Sequence, residues 1–129
     1  MKVAYICSKM RTSSYTELAE NIAVALHAGE LALKLGYMPI IPHTMSCNLR
    51  LPIPEEEYME RQLELVRRSD MILVPWDGKA APVVTDGMLA ELQAFLALNR
   101  TPADKPIFWF NMEKIKSEYP PISWLEKLE

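Results

Sequence analysis

Short apolar runs rich in β-formers alternate along this chain with longer segments in which apolar residues recur every three or four positions. Val3 to Cys7 is the first run, and polar Ser8 to Ser14 separates it from the first periodic segment. In that segment Ser14 and Glu17 stand at capping-box spacing, apolar residues recur at Leu18, Ile22, Ala25, Leu26 and Leu33, and Gly36 is the stop. The pattern predicts strand, loop and helix. Met38 to Pro42 is a second short strand. Pro39 and Pro42 each remove a ladder donor, which places it at a sheet edge. A loop, Thr44 to Ile53, follows. Pro54 opens a second helix with an acidic first turn, Glu55 to Glu57, and a basic end at Arg67 and Arg68, the order that the helix dipole favours. Met71 to Pro75 is a third strand, Met88 to Leu98 a third helix and Ile107 to Phe110 a fourth strand. Strands alternating with helices of this length imply an α/β domain whose parallel sheet is covered on both faces. From Asn111 onward the chain turns polar; Pro120-Pro121 interrupts it, and Ser123 is positioned to cap a last short helix carrying Trp124 and Leu125.

The 129 residues are half hydrophobic (50%) and about a quarter charged (24%), as expected of one globular domain spanning 1–129 with 111–129 as a tail that packs on it or on a neighbour. With 14 basic and 17 acidic side chains and a pI near 5.5, the chain has no cationic field to hold a nucleic-acid polymer. Every apolar stretch is broken well before the length of a membrane span, and Met1 to Tyr5 lacks the order of a signal peptide. Cys7 and Cys47 form neither a C-x-x-C pair nor a disulfide framework, so both are expected as free thiols in the cytoplasm.

Ligands of open parallel sheets bind beyond the carboxyl ends of the strands. The residues falling there are Ser8, Lys9 and Arg11 after the first strand, His43 after the second, Trp76 and Asp77 after the third, and Asn111 after the fourth. The sharpest local signal is Thr85-Asp86-Gly87-Met88-Leu89-Ala90-Glu91. Gly87 lets the backbone approach a ligand, and the amides of the first helical turn suit an anion. Neither a Walker sequence nor G-x-G-x-x-G occurs, which argues against an NTPase or a dinucleotide enzyme. Glu91 is the sole charged residue from Met88 to Leu98, and viewed end-on it lies roughly 20° to 40° from Leu98 and Phe95. A carboxylate bordering an apolar stripe needs a partner or a cleft, and at a pocket wall it is suited to attack a sugar carbon. An early-turn Glu that merely satisfies the helix dipole is the alternative. Metal binding is poorly supported, since His27 has no His or carboxylate at i+4 and His43 no near partner. A Cys7–His43 nucleophile and base is conceivable, but a thiol at the end of an apolar strand is more readily inert.

Taken in order, Tyr5-Ile6-Cys7-Ser8-Lys9-Met10-Arg11, Asn21, Gly36-Tyr37-x-Pro39-x-x-Pro42-His43, Asp70 and Gly87-Met88-x-x-Glu91 resemble the nucleoside 2-deoxyribosyltransferase-like superfamily. The likeness runs to Phe110 and is strongest to a small, often phage-encoded branch with P-x-x-P-H and S-x-G-M-x-x-E elements. It implies a flavodoxin-like three-layer sandwich with a parallel sheet of four or five strands, no cofactor, and assembly as a homodimer or larger homo-oligomer. It also implies cleavage or transfer at the N-glycosidic bond of a (deoxy)nucleoside or nucleoside 5′-monophosphate. The Glu matching Glu91 attacks C1′ and holds the sugar covalently, and the Tyr matching Tyr5 orients it. Thr85 stands where monophosphate hydrolases of the family carry a hydroxyl that meets phosphate. With Ser8, Arg11 and the helix amides nearby, this favours a 5′-monophosphate. Gln62 stands where many relatives place an Asp that helps protonate the leaving base. An amide cannot supply that proton, so Asp77 is the candidate acid and Trp76 a candidate stacking partner. His43, Gly87 and Met88 complete the expected substrate-binding set. Two other classes stay open: a non-catalytic nucleotide-ligand sensor or sequestering module on the same fold, and an adaptor using Tyr119 to Leu128 as an arm.

Overall fold

The structure is a computed structural model that describes residues 1–9, 14–46, 52–76, 84–97 and 107–111. It is a mixed α/β chain in the order β1 (Val3–Ile6), α1 (Tyr15–Lys34), β2 (Met38–Ile40), α2 (Pro42–Ser46), α3 (Glu55–Arg68), β3 (Met71–Trp76), α4 (Asp86–Leu96), β4 (Ile107–Asn111). All strand pairs are parallel, and the sheet order is β2-β1-β3-β4. The 111–129 tail expected from the sequence lies outside the described residues apart from Asn111, which closes β4 instead of following it. None of the described helices is long and apolar enough to cross a membrane.

The period-two alternation of the two central strands splits the core into two halves. Ala4 and Ile6 of β1 and Met71 and Leu73 of β3 face α1, where Ala25, Ala28 and Ala32 meet them. Tyr5 and Cys7, with Ile72 and Val74, face the other way and are covered by Val66 of α3 and Met88, Leu92, Ala94 and Phe95 of α4. The chain steps from β1 outward to β2, then back across to β3 and on to β4. Right-handed crossovers that reverse direction must lie on opposite sheet faces, as α1 and the α3/α4 pair do. The reversal leaves a gap between the carboxyl ends of β1 and β3. Leu73 still gives its carbonyl to the Cys7 N–H, at 2.8 Å. Two residues on, Pro75 faces the same side with no N–H to donate, so the ladder stops there.

Several local expectations are refined. Apart from His27, the buried residues of α1 are small, and Leu33 is exposed, one position away from buried Ala32. Alanines let the helix sit close to the sheet. Gly29 continues this surface, since a Cβ there would lie 2.6 Å from Ile41 Cδ1. Ser14 caps α1 through the Glu17 N–H, and α1 ends as a Schellman turn: Gly36 (φ 88°) donates to Leu33 and Tyr37 to Ala32. The second strand stops at Ile40, and Pro42 opens the short helix α2, so that His43 and Thr44 are helical where strand end and loop were expected. Pro39 sits on the edge strand, where a missing donor is tolerated.

Asp70, one of the residues of the family-like pattern, has a structural task. Its Oδ2 accepts the Val3 N–H at 2.7 Å while its own N–H donates to the Val3 carbonyl at 2.8 Å. The pair fixes the start of β1 against the start of β3 and thereby sets the register of Tyr5. Asp70→Ala is expected to lower stability by about 1.5 to 3 kcal/mol, the range for a hydrogen bond to a charged group. Urea unfolding should show a lower midpoint with an unchanged slope, and Asp70→Asn, which keeps an acceptor, should recover part of the loss.

Candidate functional site

A crevice of about 650 Å³ opens above the gap between β1 and β3. It is lined by Ser8 and Lys9 after β1, Pro42 and His43 of α2, one side of α3, and the first turns of α4 from Thr85 to Glu91. Seven of the expected catalytic and substrate-binding residues come together here: Ser8, His43, Gln62, Thr85, Gly87, Met88 and Glu91. Tyr5 lies fully buried beneath them. Arg11 and Asp77 lie outside the described residues, as does the side chain of Trp76, whose backbone ends β3.

Three side chains from three elements form a relay at the base of the crevice. Gln62 Nε2 of α3 donates to the Tyr5 hydroxyl at 2.9 Å. That hydroxyl in turn hydrogen-bonds the carboxylate of Glu91 on α4. Glu91 Oε2 is buried and has no hydrogen-bond partner among the described residues. Burial pushes the Glu91 pKa up to about 7, with the Tyr5 hydrogen bond acting in the opposite sense. Desolvation therefore outweighs the favourable helix dipole, and near neutral pH the carboxyl group exchanges between both forms. Burial, reinforced by the Glu91 charge, drives the Tyr5 phenol far above its ordinary value, so it remains a proton donor throughout.

Thr85 caps α4 by accepting the Met88 N–H at 3.2 Å, so one amide of the anticipated anion seat is already satisfied. Gly87 is exposed within the first turn, and a Cβ there would meet nothing closer than Thr85 Oγ1 at 4.0 Å. His43 is 1% exposed and its Nε2 lies 3.0 Å from the Lys9 carbonyl. A carbonyl only accepts, so Nε2 carries the proton; burial lowers the histidine pKa and keeps the ring neutral, against the pull of the Lys9 and Ser8 carbonyls. Cys7 is a buried free thiol whose Sγ faces the Met88 carbonyl at 3.7 Å, and burial, then the Glu91 charge, raise its pKa. It is a packing residue, not a nucleophile. Cys47 lies outside the described residues. No group of three or more His, Cys, Asp or Glu side chains among the described residues is arranged to hold a metal ion.

The α3 wall was not anticipated. Glu55, Glu56, Met59, Gln62 and Leu63 follow one another at helical spacing and continue the line of buried Val66. The stripe is legible in the sequence once Gln62 is placed on it. Among the described lining residues, carboxylates of Glu55, Glu56, Glu60, Asp86 and Glu91 stand with one ammonium, Lys9; Lys9 is paired with Glu17 and Glu60 with Arg67. A scan against protein-family models finds none that matches the chain, and a search of curated proteins finds no match either.

The buried carboxyl group has a measurable thermodynamic cost. Its folded pKa of about 7 exceeds the ordinary 4.5, so the native state binds the proton more tightly than the unfolded chain. The associated stability is fully present below pH 4.5 and is lost as pH rises through 7, on the order of 3 kcal/mol in all. Glu91→Gln should therefore melt higher than the parent at pH 8, with the difference shrinking toward pH 5. Calorimetric scans across that range check the slope, and a difference independent of pH would contradict the assignment.

Proposed function

We propose that this chain cleaves or transfers the N-glycosidic bond of a (deoxy)nucleoside, with Glu91 as nucleophile. The observation that carries this reading is the Glu91 carboxyl group, hydrogen-bonded by Tyr5 and borne by a residue that lines a crevice. The strand order and the helices on both faces support a flavodoxin-like three-layer sandwich, in which the gap at β1/β3 is the usual ligand position.

In the reaction, ionised Glu91 attacks C1′ through a carboxylate oxygen. The C1′–N bond breaks as the C1′–O bond forms, the electron pair leaves with the base, and a sugar ester remains on the enzyme. Water or a second base then displaces Glu91 and restores the carboxylate. Tyr5 positions the nucleophile and Gln62 positions Tyr5. Ser8 and Thr85 offer hydroxyls to the sugar, and Gly87 and Met88 shape the wall beside it. Asp77 is assigned as the acid for the departing base and Trp76 as its stacking surface on sequence grounds. The acidic lining favours an uncharged nucleoside over its 5′-monophosphate, with Arg11 as the remaining candidate to meet a phosphate.

Incubation with a panel of deoxynucleosides and their monophosphates, with and without an acceptor base, should release free base detectable by chromatography. Nucleosides should react faster than monophosphates, and Glu91→Ala should abolish release. The rate should rise with pH through about 7 as the carboxyl group ionises. In Tyr5→Phe the lost hydrogen bond no longer favours the ionised form, so this limb should move to higher pH and the rate at pH 7 fall roughly tenfold or more. The second reading is a binding module, favoured by the amide at position 62 and by a carboxyl group half neutral at pH 7. Measurable binding of ligands that stay intact would support it against the enzyme.

A further inference from the structure

The polarity of the relay fixes more than the nucleophile. Gln62 Nε2 donates to the Tyr5 hydroxyl at 2.9 Å. This sets the Gln62 amide with its NH2 toward the phenol and leaves Oε1 as an acceptor. Gln62 is 7% exposed, lines the crevice, and its Oε1 has no hydrogen-bond partner among the described residues. The same reasoning applies to His43. With the proton on Nε2 facing the Lys9 carbonyl, the neutral ring leaves Nδ1 as an acceptor, and it too is buried and without a described partner. Two buried acceptors thus belong to side chains, from different helices, that line one crevice. A buried acceptor left unmade is costly, so a ligand that supplies a donor is favoured over one that does not.

We propose that the crevice selects its ligand by hydrogen-bond donors, an N–H of the base or an O–H of the sugar, that are read by Gln62 Oε1 and His43 Nδ1. Gln62 is thereby a specificity residue as well as the support of Tyr5. This rests on the reading of the crevice as a nucleoside site. A ligand bearing only acceptors along the edge it presents leaves both atoms unsatisfied, whatever its size and stacking surface.

The test is calorimetric binding in the Glu91→Gln background, where no attack on the sugar occurs, using 2′-deoxyadenosine, purine 2′-deoxyriboside and adenosine. Purine 2′-deoxyriboside lacks the exocyclic amine, and adenosine adds a 2′-hydroxyl. The expected result is a contrast of about tenfold or more for the amine, locating the donor on the base, or for the 2′-hydroxyl, locating it on the sugar. Adding Gln62→Met, or Gln62→Leu if that protein does not fold, should shrink the contrast by weakening the donor-bearing ligand alone. A role of Gln62 confined to holding Tyr5 would instead weaken all three ligands alike. Contrasts below about twofold, including no binding of any probe at millimolar concentration, or a contrast untouched by the Gln62 substitution, would overturn the proposal. Base release by the parent protein is scored separately, so loss of the glycosidic reaction with the contrast intact sinks only the catalytic reading.

Discussion

The arrangement depends on keeping a carboxyl group out of water against an apolar core. Glu91 lies one turn before Phe95, which is 1% exposed, and beside the buried Met88 and Leu92. Desolvation opposes its charge, and the Tyr5 hydroxyl offsets only part of that opposition. The tyrosine can do so because it projects from a central strand and is itself bonded by an amide from a third element. Remove any of the three and a buried polar atom loses its partner. The relay therefore links β1, α3 and α4 as much as it prepares a reactive atom.

The position of this relay follows from the topology. Reversal of strand order between β1 and β3 separates the crossover helices to opposite faces, and Pro75 ends the ladder where they part. Asp70 fixes the other end of the same strand pair. The phenol is thus located by a hydrogen bond at the start of β1 and by packing under α4 at its end. Residues that never meet a ligand still determine where Tyr5 lies.

Much of this was legible from spacing alone. Alternation in Val3 to Cys7 and Met71 to Pro75 predicts strands with two covered faces, and the Ser14–Glu17 and Gly36 signals bracket α1 as observed. Glu91 beside an apolar stripe is readable from helical geometry. Less readable were the features set by contacts distant in sequence. Leu33 seemed a core residue by period, but the sheet face admits alanines there. Pro42 removes a strand donor and also starts a helix, and only the tertiary structure selects the second effect. The ionisation state of Glu91 depends on how much protein surrounds it, which no sequence spacing specifies. The acidic α3 wall was visible as a dipole-matched first turn, while its place beside the crevice required the fold.

The edge strand β2 is three residues long, carries a proline in its middle, and is backed by a helix brought close through Gly29. Such an edge offers a poor template for another strand. On that flank the sheet is closed to growth, which protects the chain from edge-to-edge aggregation and leaves any self-association there to side chains of the neighbouring helices.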